Sequence, residues 1–263
     1  MASKTHRGRG ITAVTIGVFA ALTLTGCAGT SAAGDAPSTN VGSGVGVGVT
    51  PSVSAGSGVG VGVTPSSAPT VPTHTSATSD LLAQIPIKGR APKTGYDRAL
   101  FGPAWTDAVD VEFGRNGCDT RNDILRRDLT DLVVKDGAKA CTILSGTLHD
   151  PYTGKTINFT RGQDTSTAVQ IDHVVALSDA WQKGAQQLDT QTRTNLANDP
   201  RNLRAVDGPT NQKKSDSDAA SWLPPNRSYR CEYVSAQVEV KAAYGLWMTQ
   251  AEHDAIAAIL ESC

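Results

Sequence analysis

Aspartate and histidine stand side by side at positions 172 and 173, inside the run Val169–Leu177, V-Q-I-D-H-V-V-A-L. An imidazole with an ordinary pKa near ~6.5 is a usable base at neutral pH, and a carboxylate beside it can ligate a hard metal ion. Two segments follow. Asn198–Val206, N-D-P-R-N-L-R-A-V, carries Asn202, and Asn211–Asp218, N-Q-K-K-S-D-S-D, carries Asn211 and Lys214. Oxygen donors, a base and a cation are what metal-assisted hydrolysis of a phosphodiester asks for. A lone Asp-His is usually a surface pair, so the weight rests on three ordered segments within about fifty residues.

Neighbours on a strand point to opposite faces, so Asp172 and His173 serve one site only if the backbone turns there. A short hairpin packed on one helix achieves this, with ligands from the first strand and from the helix. The surrounding pattern supplies such parts. Val169–Ile171 reads as a strand running into Asp172-His173, Leu203–Val206 as a second, and Asn211–Trp222 as a helix. Upstream, Asp119-Thr120 caps a helix bearing Ile124, Leu125 and Leu129. Cys141–Leu148 and Thr156–Thr160 read as strands around an Asp150–Gly154 turn. A helix follows around Ala180-Trp181. The fold class is α+β with little sheet, in a small, mainly helical domain.

Cysteines staple that domain. Cys118, Cys141, Cys231 and Cys263 are an even set in a chain marked for export, which reads as two disulfides. One helix carries Cys231, Val234, Val238 and Ala242. The next opens on a Thr249/Glu252 capping box and carries Ile256, Ile259, Leu260 and Cys263. Antiparallel packing about Gly245 brings the cysteine ends together, which pairs Cys231 with Cys263 and leaves Cys118 for Cys141. The absence of C-x-x-C argues against zinc.

The export reading comes from residues 1–27. Lys4, Arg7 and Arg9 precede a mostly apolar stretch from Ile11 to Leu24, and Leu24-Thr-Gly-Cys27 resembles a lipobox with Cys27 as the lipidated residue. Residues 28–79 are Gly, Ser, Thr, Val, Ala and Pro with almost no charge, and Gly42–Ser52 recurs as Gly56–Ser66. Glycine at alternate positions packs nothing, so this stretch reads as a disordered tether. The third unit is 80–263. The whole chain has 24 Lys+Arg against 25 Asp+Glu. Three basic residues and one acid precede residue 80, leaving 21 against 24 in the folded unit. That excludes a broadly cationic coat protein and makes any polyanion depend on a local patch and a metal ion.

The ordered D-H, N-D-P-x-N-L and N-x-x-K-S-D segments resemble the HNH nucleases. The match is to the D-H…N…N variant seen in RNA-guided nucleases and in the C-terminal domain of GmrSD-type restriction enzymes. Exported actinobacterial proteins share this order, and the chain resembles a lipoprotein form of that kind. The resemblance implies a ββα-metal core and endonuclease activity. Asp172 and Asn211 would hold a divalent ion, Mg²⁺ or else Mn²⁺, since Asn211 replaces the last histidine of the family name. His173 would be the general base, Asn202 would hold the loop and orient it, and Lys214 would sit near the scissile phosphate. Gln170 occupies a position, two before Asp172, where some relatives carry another acid. Arg121 and Lys213 are candidate substrate contacts; Arg126 and Arg127 either join them or form helix salt bridges with neighbouring acids. The implied partners are DNA before RNA, and a membrane through a lipid anchor on Cys27. No obligate protein partner is implied, and a monomer is expected. The protein would be exported, and lipid-anchored on the outer face of the cell membrane or secreted. The competing readings are a non-catalytic surface binding module and a hydrolase of another extracellular phosphodiester polymer.

Overall fold

The computed structural model describes residues 74–263 apart from Ala138. The expected signal segment, Cys27 and the expected tether up to residue 73 lie outside the described residues. The first helix, α1 (His74–Leu82), begins inside the stretch read as tether, with Thr78 and Leu82 buried.

Asp119 caps α2 (Thr120–Asp128) by accepting a 3.0 Å bond from the Asn122 amide. Leu129, expected on this helix, instead opens β1 (Leu129–Val134). Pairing with β2 (Ile143–His149) overrides the helical continuation, and β3 (Thr156–Thr160) completes an antiparallel sheet in the order β1-β2-β3. A second sheet pairs β4 (Val169–His173) with β5 (Leu203–Asp207), antiparallel, His173 opposite Leu203. Helix α2 sits between the sheets. Its Ile124 and Leu125, both fully buried, share a core with Leu148, Phe159, Val169, Ile171 and Leu203.

Two helices, α3 (Leu177–Gln182) and α4 (Thr190–Asn198), fill the connection from β4 to β5. Helix α5 (Gly208–Lys214) follows β5 directly. It starts earlier and ends earlier than the expected Asn211–Trp222. The Asp207 carboxylate accepts from the Thr210 amide and Pro209 occupies the first turn, a start signal upstream of Asn211. Ser215 then adopts a left-handed φ of 53°, and beyond it Asp216 accepts from Lys93 and Ser178 and Asp218 from Arg90 and Lys183, distant partners that draw the chain off the helical path.

The last layer is α6 (Arg230–Ala243) against α7 (Gln250–Leu260), with Val234, Val238, Ile256 and Leu260 buried between them and α1. Disulfides join Cys118 to Cys141 and Cys231 to Cys263, with Cα separations of 5.4 and 5.9 Å. The first ties the entry of α2 to the entry of β2; the second ties the start of α6 to the chain beyond α7. Only half of the expected capping box forms. Thr249 accepts from the Glu252 amide, while the Glu252 carboxylate turns inward to two lysines. Seven α-helices and two small antiparallel sheets make the described residues α+β. None of these helices is long and apolar enough to cross a membrane.

Candidate active site

Strand β4 delivers Asp172 and His173 at its end, and both are buried. The chain turns at once: Asn202 accepts from the Val175 amide at 2.8 Å and donates to the Val175 and Leu196 carbonyls. Asn202 is itself fully buried, so it holds the loop after His173 against the end of α4 from behind.

That anchoring sets the imidazole. His173 Nε2 lies 2.9 Å from the Ala197 carbonyl, the last turn of α4. A carbonyl only accepts, so Nε2 carries the proton and Nδ1 keeps its lone pair. Burial, with Arg98 and Lys214 nearby, pushes the imidazole pKa down to about 3. The indole of Trp105 stacks on it, with centroids 5.9 Å and planes 16° apart.

Asp172 takes a 2.5 Å bond from the Tyr152 hydroxyl on Oδ2 and a 3.0 Å ion pair from Lys214 on Oδ1. Burial raises its pKa, and Lys214 and Tyr152 oppose the rise. Each oxygen spends one lone pair on these donors. Gln170 lies on the same face of β4, two residues back. Its Oε1 accepts from Asn211 Nδ2 at 2.9 Å, which commits the Asn211 amide nitrogen and leaves the amide oxygen for another partner. Asp172, His173, Asn211, Gln170, Arg98 and Arg121 all line one cleft of about 480 Å³.

Lys214 corrects the expected phosphate contact. Its side chain is fully buried, and the ammonium spends its donors on Asp172 and, at 2.8 Å, on the His173 carbonyl. It therefore holds the Asp172-His173 corner together. Lys213 is exposed and does not line the cleft. Arg121 does line it, half-buried, with its pKa lowered first by burial and then by Arg161. Arg126 and Arg127 turn away from it. Arg126 donates to the Ala140 carbonyl, and Arg127 donates to the Pro200 and Leu203 carbonyls and pairs with Asp128.

Tyr152, Trp105 and Arg98 were not legible in the motifs. Tyr152 sits in the D-P-Y-T-G turn yet is fully buried, and an aromatic inside a turn signal is its one trace. Trp105 and Arg98 precede the motifs by about seventy residues, and the Ala197 carbonyl has no side-chain signature at all.

The antiparallel strand pair, the helix directly after it, and the cleft residues Asp172, His173 and Asn211 all fall inside a span that matches a known family. Residues 119–259 match the family of GmrSD restriction endonucleases, C-terminal domain. The chain belongs to that family. The family is described as a domain of restriction endonucleases, and membership supports a nuclease-type activity acting on nucleic acid. The chain is also 39% identical over 197 residues to an uncharacterized secreted protein of the fungus Arthroderma benhamiae, covering 74% of this chain and 88% of the relative. No solved structure matches it.

Proposed function

We propose that the protein is an exported, metal-dependent endonuclease that hydrolyses phosphodiester bonds of DNA. One observation carries this reading: the 2.9 Å approach of His173 Nε2 to the Ala197 carbonyl, which assigns the ring proton to Nε2. That nitrogen is tied to Ala197, so the free Nδ1 lone pair belongs to a ring whose neighbours line the cleft with Asp172 and Asn211.

The donor set fits a hard divalent ion. No group of three or more His, Cys, Asp or Glu stands together as metal ligands among the described residues. What the cleft offers is the Asp172 carboxylate with unspent lone pairs, the Asn211 amide oxygen whose nitrogen is already committed, and a second carboxylate, Asp216, whose Oδ2 is taken by Lys93 and Ser178. Mg²⁺ or Mn²⁺ accepts such a set because it keeps several waters of its own. Asp172 and Asn211 would hold the ion, which when bound supplies charge stabilisation for the leaving oxygen. His173 Nδ1 takes the proton of the attacking water. Trp105 and Ala197 fix the ring's plane, and Asn202 and Lys214 fix the backbone that carries it. Arg98 and Arg121 meet the phosphate, and the phosphate charge offsets the repulsion by which Arg98 lowers the imidazole pKa. Products keep 5′-phosphates, since the 3′ oxygen leaves.

Residues 1–27 direct export, and Cys27 carries lipid that anchors the protein to the outer face of the membrane. The description of the fungal relative as secreted supports export. Cys27→Ala is expected to move the mature protein from the detergent phase to the aqueous phase; unchanged partitioning refutes the anchor. The purified mature protein, offered single-stranded DNA and plasmid DNA in parallel, is expected to cut DNA with Mg²⁺ and to stop with EDTA. Cleavage that EDTA leaves untouched overturns the metal-dependent reading, and cleavage of a teichoic-type polymer with DNA left intact reassigns the substrate.

A further inference from the structure

Beside the polar cleft lies a second cavity of about 350 Å³ with a different character. The two share Arg98, Trp105, His173 and Leu177, so they meet at the imidazole. Beyond these the second cavity is walled by Phe101, Pro103 and Ala104, with no carboxylate. Trp105 is half-buried and held at a φ of 56°, a left-handed conformation that a bulky side chain rarely adopts and that clusters at functional sites. One wall residue has an unspent group. Asn198 is 1% exposed; its Nδ2 donates to the Thr194 carbonyl at 2.9 Å, and its Oδ1 has no hydrogen-bond partner. An apolar cavity with an indole and a guanidinium in its wall matches a flat ring joined to an anionic group.

Resting on the phosphodiesterase reading of the neighbouring cleft, we infer that this cavity receives an unpaired nucleobase adjacent to the scissile phosphate, against Trp105, and that the substrate is single-stranded. Nucleobases are flat, stack on aromatic rings whatever their sequence, and present N–H groups at their edges. Arg98 borders both cavities and so stands where the phosphate joins its nucleoside. A base inside a duplex reaches such a cavity only after unstacking and unpairing, which a single strand avoids.

Equilibrium binding of a labelled single-stranded DNA 12-mer and of its duplex, by fluorescence anisotropy of the mature protein in EDTA, tests this. Wild type is expected to bind the single strand at least about tenfold more tightly than the duplex. Loss of one base stack in Trp105→Ala should weaken single-strand binding by roughly 5- to 150-fold and duplex binding by under about twofold. Trp105→Phe keeps an aromatic face and should stay within about threefold of wild type. Ala104→Phe, an exposed position on the cavity wall, should fill the cavity and weaken single-strand binding without lowering Tm, which covers the case of an unfolded Trp105→Ala. Equal binding of single strand and duplex by wild type, or wild-type single-strand affinity in either Trp105→Ala or Ala104→Phe, overturns the inference. So does a Trp105→Ala protein that loses only kcat, since the indole then merely positions His173. If wild type cuts neither DNA nor RNA with Mg²⁺, the nuclease reading fails by itself, while the binding comparison still decides the cavity.

Discussion

Two sets of buried charges among the described residues are built differently. The first joins five segments: Arg90, Asp179 and Lys183 at α3, Asp218, Lys241 on α6 and Glu252 on α7. Lys183 pairs with Asp179, Asp218 and Glu252 at 2.6–2.8 Å, Lys241 with Glu252 at 2.7 Å and Asp179 at 3.4 Å, and Arg90 with both aspartates. Three cations meet three anions, and every side chain but Arg90 is at most 3% exposed. The set closes on itself. The second set is Asp172 with Lys214 and Tyr152, and it opens onto the cleft beside His173. Closure serves assembly, because a charge removed from it strands a partner away from water. Openness fits the chemistry proposed above: Asp172 is pre-oriented by two donors, with lone pairs left over that an ion would take.

The sharpest way to separate the two sets is His173→Ala. Turnover should fall ~10²–10⁴-fold for a lost general base, while Mn²⁺ affinity and Tm stay at wild-type values. Cleavage at the wild-type rate refutes the assignment of the open set to catalysis. Next is Lys183→Met in the closed set, expected to cost about 3–5 kcal/mol in denaturant unfolding by leaving acids buried against too few cations. The folded fraction should turn over substrate near the wild-type rate. A stable Lys183→Met protein without activity breaks the division.

Lys214→Met sharpens it further. Removing the ammonium leaves the Asp172 carboxylate short of positive charge, so Tm should drop, and added Mn²⁺ should recover part of the loss by restoring charge at that carboxylate. Mn²⁺ should recover none of the Lys183→Met loss, because no member of that set lines the Asp172 cleft. Equal recovery in both variants, followed by thermal unfolding, removes the distinction. The smallest effect is in acid. The cations around Asp179 and Asp218 hold both carboxyls below the ordinary value of 3.8 despite burial. Groups depressed in the folded state contribute stability in full above that value and lose it as the pH falls from there through their folded-state values. Asp218→Asn should therefore be less stable than wild type at neutral pH, with the gap closing below about pH 4. A gap that stays constant down to pH 2 contradicts the depressed values.

The sequence by itself determined the parts whose signals are local. Alternation into Asp172-His173, the Asp119 and Thr249 caps and the helical spacing of the cysteines each need only neighbours within a few residues, and these elements and both disulfides stand in the structure. The boundaries moved where distant partners competed, as when β2 drew Leu129 out of α2 and into β1. Only the tertiary structure decided which charges are inside. Lys213 and Lys214 are the same residue type one position apart. Helix α5 turns one to solvent and the other onto Asp172, forty-two residues earlier in the chain. The same holds for Tyr152, Trp105 and the Ala197 carbonyl. Each acts on Asp172 or His173 from a segment with no periodic relation to them, and a buried charge or a fixed tautomer exists only once such segments have closed around it and excluded water.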